Sequence, residues 1–111
     1  MRRSPLVRCL CVCRSGNVRS ITLARLLRKR GHEAIGVGLK QRSLVPLLAG
    51  WAERIYAMDD LVCARLREVL PAEQATLVSL RYDVGPDDWH LPQHPDLLRR
   101  LRDMVEANPP E

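Results

Sequence analysis

Leu6-Val7-Arg8-Cys9-Leu10-Cys11-Val12, followed by Cys13-Arg14-Ser15-Gly16-Asn17-Val18-Arg19-Ser20, is the stretch that decides the fold. Apart from Arg8, the first seven residues are apolar and rich in β-formers. The next eight form a short polar loop, and Ile21 to Leu27 then takes up a helical pattern. Strand, tight loop and helix in that order put a thiol at the end of a strand. The loop's backbone N–H groups converge there, and the positive end of the helix dipole adds to them, which makes an anion site. Such a field favours a thiolate at Cys13. Arg19 fits the same site, because a guanidinium can fork two parallel hydrogen bonds onto an oxyanion and an ammonium cannot. A thiolate beside a phosphate cradle implies phosphoryl transfer through a cysteinyl-phosphate.

The rest of the chain repeats the strand–helix alternation. A helix from Arg19 to Arg30 places Ile21, Ala24 and Leu27 on one face and stops at Gly31. Glu33 to Gly38 reads as a second strand. Ser43 is positioned to cap a helix whose Leu44, Leu47, Leu48 and Trp51 share a face. Arg54 to Met58 reads as a third strand, and Asp59 or Asp60 caps a helix that buries Val62, Leu66, Val69 and Leu70. Ala75 to Leu80 reads as a fourth strand. A polar, proline-bearing loop covers residues 82–95, and the last helix carries Leu97, Leu98, Leu101, Met104 and Val105 before a frayed tail. This alternation implies right-handed crossovers and a parallel sheet covered on both faces, with ligands bound beyond the C-terminal strand ends. The Cys13 loop and the 82–95 loop leave the sheet at that same edge.

Composition sets outer bounds. One domain over residues 1–111 is expected at this length. The net charge of +5 rests on sixteen arginines against two lysines, and there is no phenylalanine. That balance favours anionic partners, phosphoproteins or nucleic acid among them, without choosing between these; it is the Cys13 loop that puts a phosphorylated protein or small aryl phosphate ahead of nucleic acid. The basic run Arg25 to Arg30 reads as a solvated helix face. Cys9, Cys11 and Cys13 alternate along one strand and are badly placed to pair with one another, so a reducing, cytoplasmic setting is expected. Cys63 reads as a packing residue. No metal site is expected: His90 and His94 are four apart, but Pro92 and Pro95 break the helix that would align them. No cofactor is called for, and no run approaches the roughly 18 apolar residues of a membrane span.

Cys13 to Ser20, together with Pro86-Asp87-Asp88-Trp89 and the Gly50 to Met58 segment leading into the third strand, resembles the low-molecular-weight protein tyrosine phosphatase superfamily, especially its short members. The resemblance spans most of the chain. It implies a three-layer α/β/α fold on a four-stranded parallel sheet of order 2-1-3-4. It also implies Cys13 as nucleophile, Arg19 as the phosphate and transition-state ligand, and Ser20 as a hydrogen-bond donor to the thiolate. Arg14, Ser15, Gly16, Asn17 and Val18 would complete the phosphate loop. A late-loop aspartate would protonate the leaving oxygen: Asp87 first, then Asp88, then Asp83. Trp89 would line the substrate mouth.

The chain departs from the family pattern in places. The asparagine usual three residues after the nucleophile is Gly16, with Asn17 one place later. A second loop cysteine is replaced by Val18, and Gly85 precedes Pro86 where longer members have Asp-Pro. The large tyrosine phosphatases do carry glycine at that position, but their loop lies late in the chain. Two other readings share the site. One is a non-catalytic anion-binding module for phosphoprotein or nucleic-acid ends. The other is arsenate reduction, which would need Cys63 to resolve an arseno-thiol.

Overall fold

The computed structural model describes residues 6–16, 18–85, 89 and 94–110. Four strands, β1 (Arg8–Cys13), β2 (Glu33–Gly38), β3 (Arg54–Ala57) and β4 (Val78–Ser79), form one parallel sheet in the order β2-β1-β3-β4. Among the described residues, five helices accompany them: α1 (Arg19–Lys29), α2 (Leu44–Trp51), α3 (Asp60–Val69), the single-turn α4 (Ala72–Ala75) and α5 (Pro95–Ala107). Strand order and parallel pairing agree with the expected architecture. Among the described residues, no helix is long and apolar enough to cross a membrane.

β1 organises the core because it is buried on both faces, as central parallel strands are. Its alternation sorts side chains into two clusters. Cys9, Cys11 and Cys13 point to one face, where Leu23 and Leu27 of α1 meet Leu97, Leu101 and Val105 of α5. Leu10 and Val12 point to the other, where Val45 and Ala49 of α2 meet Val62 and Leu66 of α3. The result is three layers, with the C-terminal ends of β1, β2 and β3 all opening at one edge.

Several local expectations change. Ser43 occupies the cap position of α2 but makes no side-chain cap bond, and the helix buries Val45 and Ala49 rather than the Leu44–Leu47 stripe. The sequence of α2, LVPLLAGW, carries no charge to fix an outward face, so fit against the sheet chooses the side with the smaller residues. Val69 is exposed, while Cys63 joins Val62, Leu66 and Leu70 in the core. The fourth strand shrinks to Val78–Ser79, because α4 takes up the chain before it. The tail is fastened rather than frayed. The Tyr82 hydroxyl donates to the Asn108 carbonyl, Arg81 Nη1 donates to the Pro109 carbonyl at 3.0 Å, and Pro110 is buried.

Candidate active site

Cys13 is the last residue of β1, and its Sγ is fully buried. Gly16 N donates to Sγ at 3.0 Å, and Ser20 Oγ in the first turn of α1 lies 3.1 Å from the same sulfur. The loop therefore bends back over the thiol within three residues. Gly16 takes a φ of +81°, a conformation that costs glycine nothing and other residues strain. Its neighbour across the sheet matters as much. A Cβ added to Gly38 would stand 2.4 Å from the Ser15 carbonyl carbon, and one added to Gly36 would stand 2.8 Å from the Ser20 carbonyl oxygen. The two glycines of β2 form the floor on which the Cys13 loop and the start of α1 rest. A Gly-x-Gly inside a strand was the sequence sign of this close approach.

Arg19 is the second fixed point. Its side chain is fully buried, and Nη1 donates to Asp59 Oδ2 at 2.7 Å and to the Gly85 carbonyl at 2.6 Å. The second bond shows the two sequence-distant loops meeting, as their shared sheet edge implied. Asp59 follows β3 and does two jobs. Oδ1 accepts from Val62 N at 2.9 Å and caps α3, while Oδ2 takes Arg19 and also Arg14 Nε at 3.2 Å. Burial acts to raise the carboxyl pKa of Asp59. The hydrogen bonds from Arg19 and Val62 and the charges of both arginines outweigh it and hold the group below its ordinary value. Sequence reading saw Asp59 only as a helix cap. The sign available was its place at the C-terminal end of a strand, on the same edge as Cys13.

Arg14, Asp59, Asp60, Leu61, Asp83 and Gly85 line a recess of about 340 Å³ beside this pair. Asp83 turns back on its own loop, with Oδ1 accepting from Gly85 N at 2.7 Å. Val18 is buried at the start of α1 and Ser15 is partly exposed. Asn17, Asp87, Asp88 and His90 lie outside the described residues. Trp89 packs against the α1–α5 core and meets the His94 ring edge-on at 5.4 Å between centroids, while His94 Nδ1 accepts from Asp96 N at the start of α5.

The remaining thiols are free and buried. Burial pushes Cys9 up to about 12 and Cys11 well above its ordinary value, so both are inert packing residues. Cys63 belongs to the core on the opposite face of the sheet from Cys13. Among the described residues, no group of three His, Cys, Asp or Glu side chains is arranged to hold a metal ion.

Comparison with solved structures decides the architecture. The Wzb tyrosine phosphatase of Escherichia coli K30, solved with phosphate, superposes with a TM-score of 0.68 over 93% of this chain and 96% of its own, at 14% identity. Vibrio vulnificus Wzb, solved with benzylphosphonate, gives 0.73 over 93% and 97%, at 15% identity. This chain has the low-molecular-weight phosphatase fold. The YwlE arginine phosphatase of Geobacillus stearothermophilus shares it too, with a TM-score of 0.67 over 91% of this chain and 86% of its own, at 21% identity. No protein-family profile and no curated protein sequence matches the chain. The likeness therefore lies in the fold of the backbone rather than in the bulk of the side chains.

Proposed function

We propose that this chain is a cysteine-dependent phosphomonoesterase of the low-molecular-weight phosphatase superfamily, acting on phosphotyrosine or a similar aryl phosphate. The observation that carries the reading is the pairing of Cys13 Sγ with Gly16 N and Ser20 Oγ, beside a buried Arg19 oriented by Asp59. The shared fold with tyrosine and arginine phosphatases supports it.

In this mechanism the Cys13 thiolate attacks phosphorus. The S–P bond forms as the bond to the leaving oxygen breaks, and Asp87 of the late loop gives that oxygen its proton. Water then attacks the cysteinyl-phosphate, the same carboxylate takes a proton from it, and inorganic phosphate leaves. Arg19 and the loop N–H groups of Arg14 to Val18 bind the three equatorial oxygens, where charge is largest in the transition state. Ser20 donates to the sulfur each time it becomes a thiolate. Asp59 holds the Arg19 guanidinium so that no reorganisation is needed when phosphate arrives. The buried, unpaired thiols fit a setting in which cysteines stay reduced.

Steady-state hydrolysis of para-nitrophenyl phosphate tests this. Cys13→Ser is expected to lower kcat by on the order of a thousandfold or more, since a lone nucleophile carries the covalent step. Asp87→Ala should lower kcat by roughly 10²–10⁴-fold for a leaving group that needs protonation. Turnover unchanged in Cys13→Ser overturns the reading. Phosphate binding without any turnover in the wild-type chain would make it an anion-binding module.

A further inference from the structure

The two helices on the α2–α3 side leave apolar surface uncovered. Leu44 and Leu47 of α2 are 41% and 72% exposed, and Leu61 and Val69 of α3 are 47% and 61% exposed. Between the helices lies a cavity of about 430 Å³ bounded by Leu39, Arg42, Pro46, Arg65 and Val69. That volume falls in the range of sites that seat side chains of a ligand. Chain geometry connects it to the recess beside Arg14 and Asp59.

Leu39 lines the groove, and its backbone N–H donates to the Cys13 carbonyl at 2.9 Å. Leu61, Arg65 and Val69 are spaced i, i+4, i+8 and form a single ridge along α3. Leu61 lines the catalytic recess, whereas Arg65 and Val69 line the groove. Eight residues of helix cover about 12 Å. An extended peptide covers that distance in about four residues.

Charge selects the occupant. Among the described residues, no carboxylate bounds the groove. Among the described residues, Arg65 pairs only with Glu68, 3.8 Å away on its own helix, with both side chains largely exposed, and such a pair is weak. Among the described residues, no carboxylate pairs with Arg42. A second copy of the chain is disfavoured, because each carries +5 and would bring arginines against arginines. Nucleic acid is disfavoured too, since among the described residues the groove offers no aromatic ring for a base to stack on.

We propose that the α2–α3 groove seats an acidic, leucine-bearing segment next to the phosphorylated residue of a phosphoprotein substrate, with Arg42 and Arg65 holding its carboxylates. This rests on the phosphatase reading and adds to it a preference for sequence around the phosphate. The groove's arginines engage carboxylates, while leucines of the segment fill the space between Pro46 and Val69. Small aryl phosphates use none of it.

The test compares three substrates: a phosphotyrosyl peptide flanked on both sides by alternating glutamate and leucine, the same peptide with glutamine for glutamate, and para-nitrophenyl phosphate. The wild-type chain is expected to favour the glutamate peptide about tenfold in kcat/KM, carried by KM. In an Arg42→Glu, Arg65→Glu double variant that preference should vanish or invert, with the aryl phosphate rate unchanged. Equal rates on the two peptides in the wild type, or a parallel fall on the aryl phosphate in the variant, overturn the proposal. If no substrate is turned over, the phosphatase reading fails by itself, and fluorescence anisotropy with the labelled, unphosphorylated glutamate–leucine peptide decides the groove. Binding weakened by the double variant upholds it, and absence of binding rejects it. A concentration-dependent dimer in sedimentation that Leu47→Glu dissociates would give the face to a second copy, and the proposal would fall.

Discussion

On the face of the sheet covered by α1 and α5, leucines at helical spacing close completely over the cysteine side of β1. On the face covered by α2 and α3, the helices bury Val45, Ala49, Val62 and Leu66 and leave Leu44, Leu47, Leu61 and Val69 in water. For α2 the difference follows from charge patterning. α1 and α5 carry arginine-rich outer stripes that leave only one way to lie down. α2 has no charged residue, and its orientation is decided by fit alone. The closed face is also the one that holds the Cys13 thiol and the buried Arg19. Rigid support sits under the chemistry, and the open face is left to do something else.

Four substitutions would break or sharpen this contrast. The largest effect should come from Asp59→Asn, which takes the Asp59 carboxylate away from the buried Arg19 charge. A loss of about 3–5 kcal/mol in denaturant unfolding is expected, together with a fall in kcat. Because folding holds the Asp59 carboxyl below its ordinary value of 3.8, the pair's contribution is fully present above that value. It fades as pH falls through the lower folded value. The wild type should therefore lose stability on acidification in a step that Asp59→Asn lacks, measured as the difference in unfolding free energy between neutral and acidic pH.

Next comes Leu101→Ala on the closed face, with an expected cost of about 2–5 kcal/mol from lost burial and a residual cavity. Gly38→Ala should cost about 1–3 kcal/mol by overpacking, and it should depress kcat more than its effect on the melting temperature implies, because the clash falls on the Cys13 loop. Leu47→Ala on the open face should stay within about 0.5 kcal/mol. If Leu47→Ala destabilised the chain as much as Leu101→Ala, the two faces would not differ as described.

Much of the fold was legible because its determinants are local. The apolar run before Cys13, the Arg19–Arg30 helix and the Leu97–Val105 stripe each carry their own period, and alternation of strands with helices supplies the sheet. The Cys13–Ser20 constellation was legible for the same reason, all its members lying within eight residues. The partnership of Asp59 with Arg19 was not, since it joins residues 40 positions apart and each has an adequate local explanation. The floor made by Gly36 and Gly38 depends on which strand neighbours β1. The facing of α2 was illegible because a helix apolar on every side has no period to read. The exposure of Val69 reflects a choice between two nearly equivalent apolar faces of α3, settled by Cys63 fitting inside.

The clasp at the end of the chain has a consequence for the other end of the reaction path. Tyr82 and Arg81 hold the Asn108 and Pro109 carbonyls, and only three residues after Tyr82 the Gly85 carbonyl reaches Arg19. The terminal turn thus acts as a tether on the strut that steadies the Arg19 guanidinium. Cutting the chain after Ala107 would slacken that strut from the far side of the molecule. Protease trimming at the C-terminus would then register as a change in oxyanion affinity before it registered as unfolding.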